Sequence, residues 1–252
     1  MTATATEHDL KEMKESLGLK DEQIVVLKAS PVQSNVKFQT LRRPPNGIDF
    51  EGECLSSGTF RPGLGNLINI LYLKRFISDI ISGQSPKKAI IFFRTETQLM
   101  DTYEYLLDQL PEFDNKSIPF VMNHGSIGEA TDKNIIERKN TIKLFLATQK
   151  MLMGVDLTDI QVVIFVRPMN RLQHILQGSG RAGRKMVSGR RQRVLVYVLY
   201  NSQDLGGNVP GLTDPVREFC TTQNCLKGLL GEHFDGKPPE SGSSDWCCGN
   251  CD

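Results

Sequence analysis

The sequence predicts an α/β protein: a parallel sheet covered by helices on both faces, followed by a small helical unit that carries cysteines. Three observations predict it. Short apolar runs alternate with helical patterns between residues 66 and 200. The runs are apolar throughout, as in Ala89-Ile90-Ile91-Phe92-Phe93, which marks strands buried on both faces. After Tyr200 the alternation stops, and five of the six cysteines lie at or beyond Cys220.

The elements follow in order. Thr6 to Leu17 reads as a short helix: Thr6 and Asp9 suit a capping box, Leu10, Met13 and Leu17 share a face, and Gly18 ends it. Ile24 to Leu27 and Val36 to Leu41 read as strands. Arg42 to Gly65 is rich in proline and glycine and reads as loop. Asn66 to Ser82 is an apolar helix stopped by Gly83, and Ala89 to Phe93 a buried strand. A helix capped by Thr95 and Gln98 runs to Leu110. Ile118 to Met122 is a strand, Thr131 to Asn140 a weaker helix, and Ile142 to Ala147 and Gln161 to Val166 are strands. Arg171 to Gly178 is a helix, Arg193 to Tyr200 a strand, and Asp214 to Gly231 one long helix with Pro215 in its first turn. In such sheets ligands gather beyond the carboxyl ends of the strands, so functional motifs are sought just after strands. The chain divides into a connecting segment over 1–65, the α/β lobe over 66–205 and the cysteine-bearing unit over 206–252.

Composition narrows the function. The 252 residues are 39% hydrophobic and 23% charged, with a net charge of +1. That excludes a disordered polyelectrolyte or a coiled coil, and it confines any nucleic-acid surface to a local patch. No apolar run approaches the roughly 20 residues of a membrane helix. The polar start, Met1 to Glu15, shows no secretory signal, so an intracellular setting with reduced thiols is expected. Cysteines clustered near one end of such a chain read as a metal site.

The most informative segment is Gln177-Gly178-Ser179-Gly180-Arg181-Ala182-Gly183-Arg184. Two arginines on a glycine-interrupted turn project guanidinium groups from a compact backbone. Guanidinium stays charged and offers a planar fork of donors, which suits phosphate. At a γ-phosphate it stabilises the charge of the transferring group. The bland alternative is a solvated basic loop, since Lys185, Arg190, Arg191 and Arg193 follow. That run would also fit phosphates of a polynucleotide.

The segment resembles motif VI of superfamily 2 helicases in its RecQ-type form, and the likeness extends outward in order. Ala89 to Phe93 with Arg94-Thr95 resembles motif IV. Leu146-Ala147-Thr148 through Met153-Gly154-Val155-Asp156 resembles motif V. Met1 to Thr6 resembles the tail of motif III, and the cysteine-bearing end resembles the RecQ zinc-binding subdomain. The resemblance implies a RecA-like lobe. It implies that Arg181 and Arg184, with Gln177 and Gly180 in the same motif, reach a nucleotide's phosphates across an interdomain cleft. Gly154 and Asp156 would link that cleft to the nucleic-acid track, where Thr148 and Arg94 would lie. His124-Gly125 resembles an intermediate loop of the family. The implied activity is ATP-dependent 3′–5′ DNA unwinding in recombination and repair, in the nucleus, with Mg²⁺ and Zn²⁺. Three positions depart from the family pattern: Gly178, where an acidic residue is usual; Lys185-Met186, where an acidic residue and glycine are usual; and Lys150-Met151-Leu152 before Met153-Gly154. These bear on the coupling of hydrolysis to movement.

Motor ATPases cradle phosphates in a P-loop, and no Gly-x-x-x-x-Gly-Lys-Ser/Thr occurs in these residues. The expectation is a second motor lobe whose ATP and Mg²⁺ are held by an N-terminal RecA-like lobe outside this chain. The alternative is a non-catalytic, zinc-stabilised DNA-binding or regulatory module; an RNA helicase lobe ranks below both. For zinc, Cys248-x-x-Cys251 is a chelating pair, with Cys225 and Cys247 completing four thiolates. By family likeness, a fourth ligand beyond Asp252 is an alternative to Cys247. Cys220 is a weaker candidate, because five helical residues turn it about 140° from Cys225. Trp246 is read as covering the metal site or stacking on a base.

Overall fold

A computed structural model describes residues 7–18, 20, 30–42, 76–82, 87–108, 118–123, 137–138, 140–149, 159–235 and 246–251. Its elements are α1 (Glu7–Ser16), β1 (Val36–Arg42), β2 (Lys88–Phe92), α2 (Glu96–Asp108), β3 (Phe120–Asn123), β4 (Leu144–Ala147), β5 (Ile160–Phe165), α3 (Leu172–Ser179), β6 (Met186–Val187), β7 (Arg190–Arg191), β8 (Val194–Tyr200), α4 (Asp214–Thr221) and α5 (Leu226–Asp235), then a 3-10 turn at Gly249–Cys251. Among the described residues, six strands form one sheet in the order β1-β8-β5-β2-β4-β3. Every neighbouring pair is parallel.

The pleat sorts the apolar runs onto two faces. Ile90, Phe92, Phe145, Val163, Phe165, Val196 and Val198 turn to one side, where Leu172, Ile175 and Leu176 of α3, Phe219 of α4 and Leu226 and Leu230 of α5 cover them. Ala89, Ile91, Phe93, Leu144, Leu146, Val162 and Ile164 turn to the other, under Ile77 and Ile80 and under Leu99 and Leu106 of α2. Both faces are dry, which is why these strands lack polar alternation. At the start of α2 the Gln98 amide donates to Thr95 Oγ1 at 3.3 Å, the cap expected there.

The structure departs from the sequence reading in several places. Asp214 to Gly231 is not one helix. α4 ends at Thr221 because Thr222 is extended (ψ 147°), and Asn224 turns the chain through a bond from its amide to Thr222 Oγ1. β-branched threonines and an asparagine favour that break. The helical-rotation argument separating Cys220 from Cys225 therefore does not apply. β1, placed by sequence in the connecting segment, is an edge strand of the lobe's own sheet. The shared face of α1 lies on the surface: Leu17 is 69% exposed. Gly18 does end that helix, with φ +62°. Two short strands, β6 and β7, pair antiparallel where the sequence reads as a solvated basic loop. The strand expected at Ile24 to Leu27, most of the helices over 66–82 and 131–140, and His124-Gly125, Gly154 and Asp156 lie outside the described residues.

Candidate functional site

The arginine segment is built on close packing. Gly178 sits over the stacked rings of Phe92 and Phe165, whose centroids are 5.2 Å apart. A Cβ there would stand 2.6 Å from Phe165 Cζ. This explains glycine where the family usually carries an acid: the aromatic pair fills the volume. α3 then closes into a tight turn, with the Gly180 amide on Leu176 O at 2.9 Å and the Ala182 amide on Ser179 O at 3.1 Å. Gly183 adopts φ +64°, and its amide donates to Ile160 O at 2.9 Å. A Cβ at Gly183 would meet Asn35 Nδ2 and Val194 Cγ2 at 2.5 Å and Gln192 O at 2.8 Å. Arg181 is half-buried and Arg184 exposed, with Arg184 Nε donating to Gly180 O at 3.0 Å.

Ile160 and Val194 begin their strands, so this turn lies at the amino edge of the sheet. Searching just after strands would have missed it; the segment follows a helix that returns from the opposite edge. Arg94 and Thr148 lie at the carboxyl edge instead, after β2 and β4. The structure thus divides the expected residues between two edges.

At the carboxyl edge the side chains largely serve each other. Thr148 is 7% exposed, and its amide is taken by Asn123 O at 3.1 Å. Arg94 Nη2 donates to Asn170 Oδ1 and, at 3.1 Å, to Pro210 O, stapling three loops. Burial, then the neighbouring Arg167 charge, lowers the pKa of Arg94; Asp204 opposes them. Arg167 Nε lies 3.4 Å from the buried Asp204, whose carboxylate also caps the Asn201 amide at 3.0 Å. Gln149 Nε2 meets His174 Nε2 at 2.8 Å. Burial, then Arg171, lowers the pKa of His174, which favours the neutral ring.

The cysteines converge as spacing suggested. The Sγ atoms of Cys225, Cys247, Cys248 and Cys251 all lie within 4.8 Å of one another. Individual separations are 3.5 Å (Cys225–Cys247), 3.9 Å (Cys225–Cys248) and 3.4 Å (Cys248–Cys251). A tetrahedron with metal–sulfur bonds of about 2.3 Å has edges of about 3.8 Å, so the donor set fits a zinc-sized ion. Amides of Leu226 and Gly228 donate to Cys248 and Cys225 Sγ at 3.4 and 3.3 Å, the outer hydrogen bonds that thiolate ligands favour. Burial, then the Cys225 thiol, pushes Cys247 up to about 11. Burial also acts on Cys248, but the Leu226 amide and its other partners hold it below the usual thiol range. Cys220 stands apart in the core, pushed up to about 12 by burial and Asp204.

Sequence reasoning missed the residue that ties these parts together. Asn35 Nδ2 donates to Gln192 O at 2.8 Å and to Gly183 O at 3.5 Å. Asn35 O accepts from the Trp246 indole at 2.9 Å and from the Val194 amide at 2.9 Å. Trp246 is held among cations: Arg193 lies 4.9 Å and Lys37 5.6 Å from its ring centroid. Lys227 Nζ donates to Ser34 O and Trp246 O, and Phe38 of β1 bridges Cys248. One asparagine in a loop carries no sequence signal for such a role.

Residues 72–186 match the Helicase conserved C-terminal domain. The ATP-dependent DNA helicase RecQ of Bacillus subtilis is 22% identical over 190 residues, 70% of this chain and 30% of its own length. A protein named as an ATP-dependent DNA helicase Q1 of Caenorhabditis briggsae is 24% identical across 100% of this chain and 36% of its length. A protein named as an ATP-dependent RNA helicase, R290 of Acanthamoeba polyphaga mimivirus, is 29% identical over 47% of this chain and 23% of its length. The chain spans about a third or less of each relative.

Proposed function

The chain carries the C-terminal lobe of a superfamily 2 helicase, and from that premise we propose that it is the second motor lobe and zinc module of a RecQ-type, ATP-dependent 3′–5′ DNA helicase. The observation that carries this reading is the turn at Gly180–Arg184. It holds Arg181 half-buried and Arg184 exposed at the amino edge of the sheet, on a backbone that only glycine at 183 permits. Such cations, set by rigid packing, stabilise charge that develops on a transferring phosphoryl group. ATP and Mg²⁺ would be held by a P-loop lobe, and these residues supply the opposing arginines. Zn²⁺ would be held by Cys225, Cys247, Cys248 and Cys251, and would tie the start of α5 to the 3-10 turn. Asn35, Trp246 and Lys227 fasten that module to β1 and to the arginine turn.

The four-cysteine cluster supports a DNA-directed RecQ-type protein over an RNA helicase. The test is strand separation by this chain joined to the P-loop lobe of a RecQ-type helicase. Unwinding of a 3′-tailed DNA duplex, without unwinding of a 5′-tailed one, is expected. Preference for an RNA duplex would contradict the reading.

A second reading has its own observation. Gly178 and Lys185 stand where acidic residues are usual and Met186 where glycine is, and the Phe92–Phe165 pair leaves no room for an acid at 178. A module that binds DNA without hydrolysis fits those departures. It predicts no ATP turnover in the joined protein.

A further inference from the structure

Directly after the arginine turn stands the small ribbon β6–β7. Residues 184–193 hold Arg184, Lys185, Arg190, Arg191 and Arg193 and no acidic side chain, in a chain whose net charge is only +1. Ser188 (φ 51°) and Gly189 (φ 76°) form the tight two-residue turn that matches the twist of a ribbon. All four strand residues are exposed, including Met186 at 59% and Val187 at 51%. The base is fastened: the Gln192 amide donates to Lys185 O at 3.0 Å, Arg191 Nη1 donates to Gln33 Oε1 at 3.2 Å, and Arg193 packs on Trp246. The ribbon is therefore a supported projection.

Met186 pairs with Arg191, and Val187 with Arg190. Paired residues share a face and successive residues alternate, so each face presents one arginine beside one apolar side chain. A single strand offers one row of phosphates. A B-form duplex offers two, flanking a major groove about 12 Å wide that admits a two-stranded ribbon. A-form RNA has a deep, narrow major groove that side chains cannot enter. We infer that the β6–β7 ribbon is a DNA-duplex contact, seated in the major groove with Arg190 and Arg191, on its two opposite faces, toward opposite phosphate rows. This contact lies at the amino edge, apart from Arg94 and Thr148. It rests on the polynucleotide-binding reading above.

The test is a salt series of fluorescence anisotropy on the 252-residue chain. The probes are a labelled DNA duplex, the matching single strand and the matching RNA duplex. Arg190→Gln with Arg191→Gln removes two phosphate contacts, so the log–log salt slope on the DNA duplex should flatten by about 1.8. The slope on the single strand and on the RNA duplex should not change. Arg190→Lys with Arg191→Lys should keep the duplex slope, which separates charge from folding. Lys11→Gln with Lys14→Gln, an equal loss of charge on α1, should leave it unchanged. Equal flattening by the α1 pair, or on the single strand or RNA, overturns the inference, as does an unflattened slope on the DNA duplex. Wild-type chain that binds none of the three probes overturns the parent reading as well.

Discussion

Gly183→Ala tests the arginine turn at its tightest point. The new Cβ would sit at φ +64°, within 2.5 Å of Asn35 Nδ2 and Val194 Cγ2 and 2.8 Å of Gln192 O. The left-handed backbone costs roughly 1–2 kcal/mol for a residue with a Cβ. Crowding in a packed site costs about 1–3 kcal/mol more. The gain from a stiffer unfolded chain, about 0.4–1 kcal/mol, offsets only part. A net loss of about 2–4 kcal/mol should lower Tm by roughly 5–15 °C in a chain of this size. Two other glycines separate the terms. Gly189 has φ +76° with nothing within 4 Å of its Cβ, and Gly207 has neither the positive φ nor a neighbour. Gly189→Ala should therefore lower Tm by a few degrees, and Gly207→Ala should hold or raise it. The assay is thermal unfolding followed by circular dichroism. A Tm for Gly183→Ala equal to that for Gly189→Ala would refute the close-packed turn.

Other outcomes follow from the same contacts. Purified chain should contain one zinc per molecule by elemental analysis; Cys248→Ser should lose it, whereas Cys220→Ser should not. Trp246 is the single tryptophan, so its fluorescence should shift to the red when a chelator loosens the cysteine module from Asn35. Asp159→Asn removes the ion pair made at 2.8 Å with Lys88, whose side chain is 8% exposed. Because Asp159 itself is 38% exposed, the cost should be about 1–2 kcal/mol, read as a lower urea midpoint. Gly178→Glu, which places an acidic residue there, should be poorly soluble or melt well below wild type, because its Cβ collides with Phe165.

The strands were legible because burial on both faces erases polar alternation, leaving runs such as Ala89 to Phe93 with no competing reading. The cysteine cluster was legible because a metal site needs several thiols at once, and Cys225, Cys247, Cys248 and Cys251 are spaced for it. Other features were decided by tertiary contacts. The break between α4 and α5 depends on Asn250 Nδ2, which bonds Thr222 O at 2.9 Å and Asn224 O at 2.8 Å across the cysteine module. β1 joins the sheet by pairing with β8, a partner far along the chain, so local pattern could not place it. The same holds for Asn35, whose bonds to Gln192 and Trp246 span most of the sequence. The Gly178 departure bears on coupling when read in the sequence; in space it is also the packing counterpart of Phe92 and Phe165.

The most direct measurement is ATP hydrolysis stimulated by single-stranded DNA. The chain by itself should show none above background. Joined to a RecQ-type P-loop lobe it should turn over ATP, and Arg184→Ala should abolish turnover while the protein still unfolds cooperatively, since Arg184 is exposed and gives up its bond to Gly180 O without opening the core. Hydrolysis by the isolated chain, or turnover in the joined protein that survives Arg184→Ala, would contradict the account.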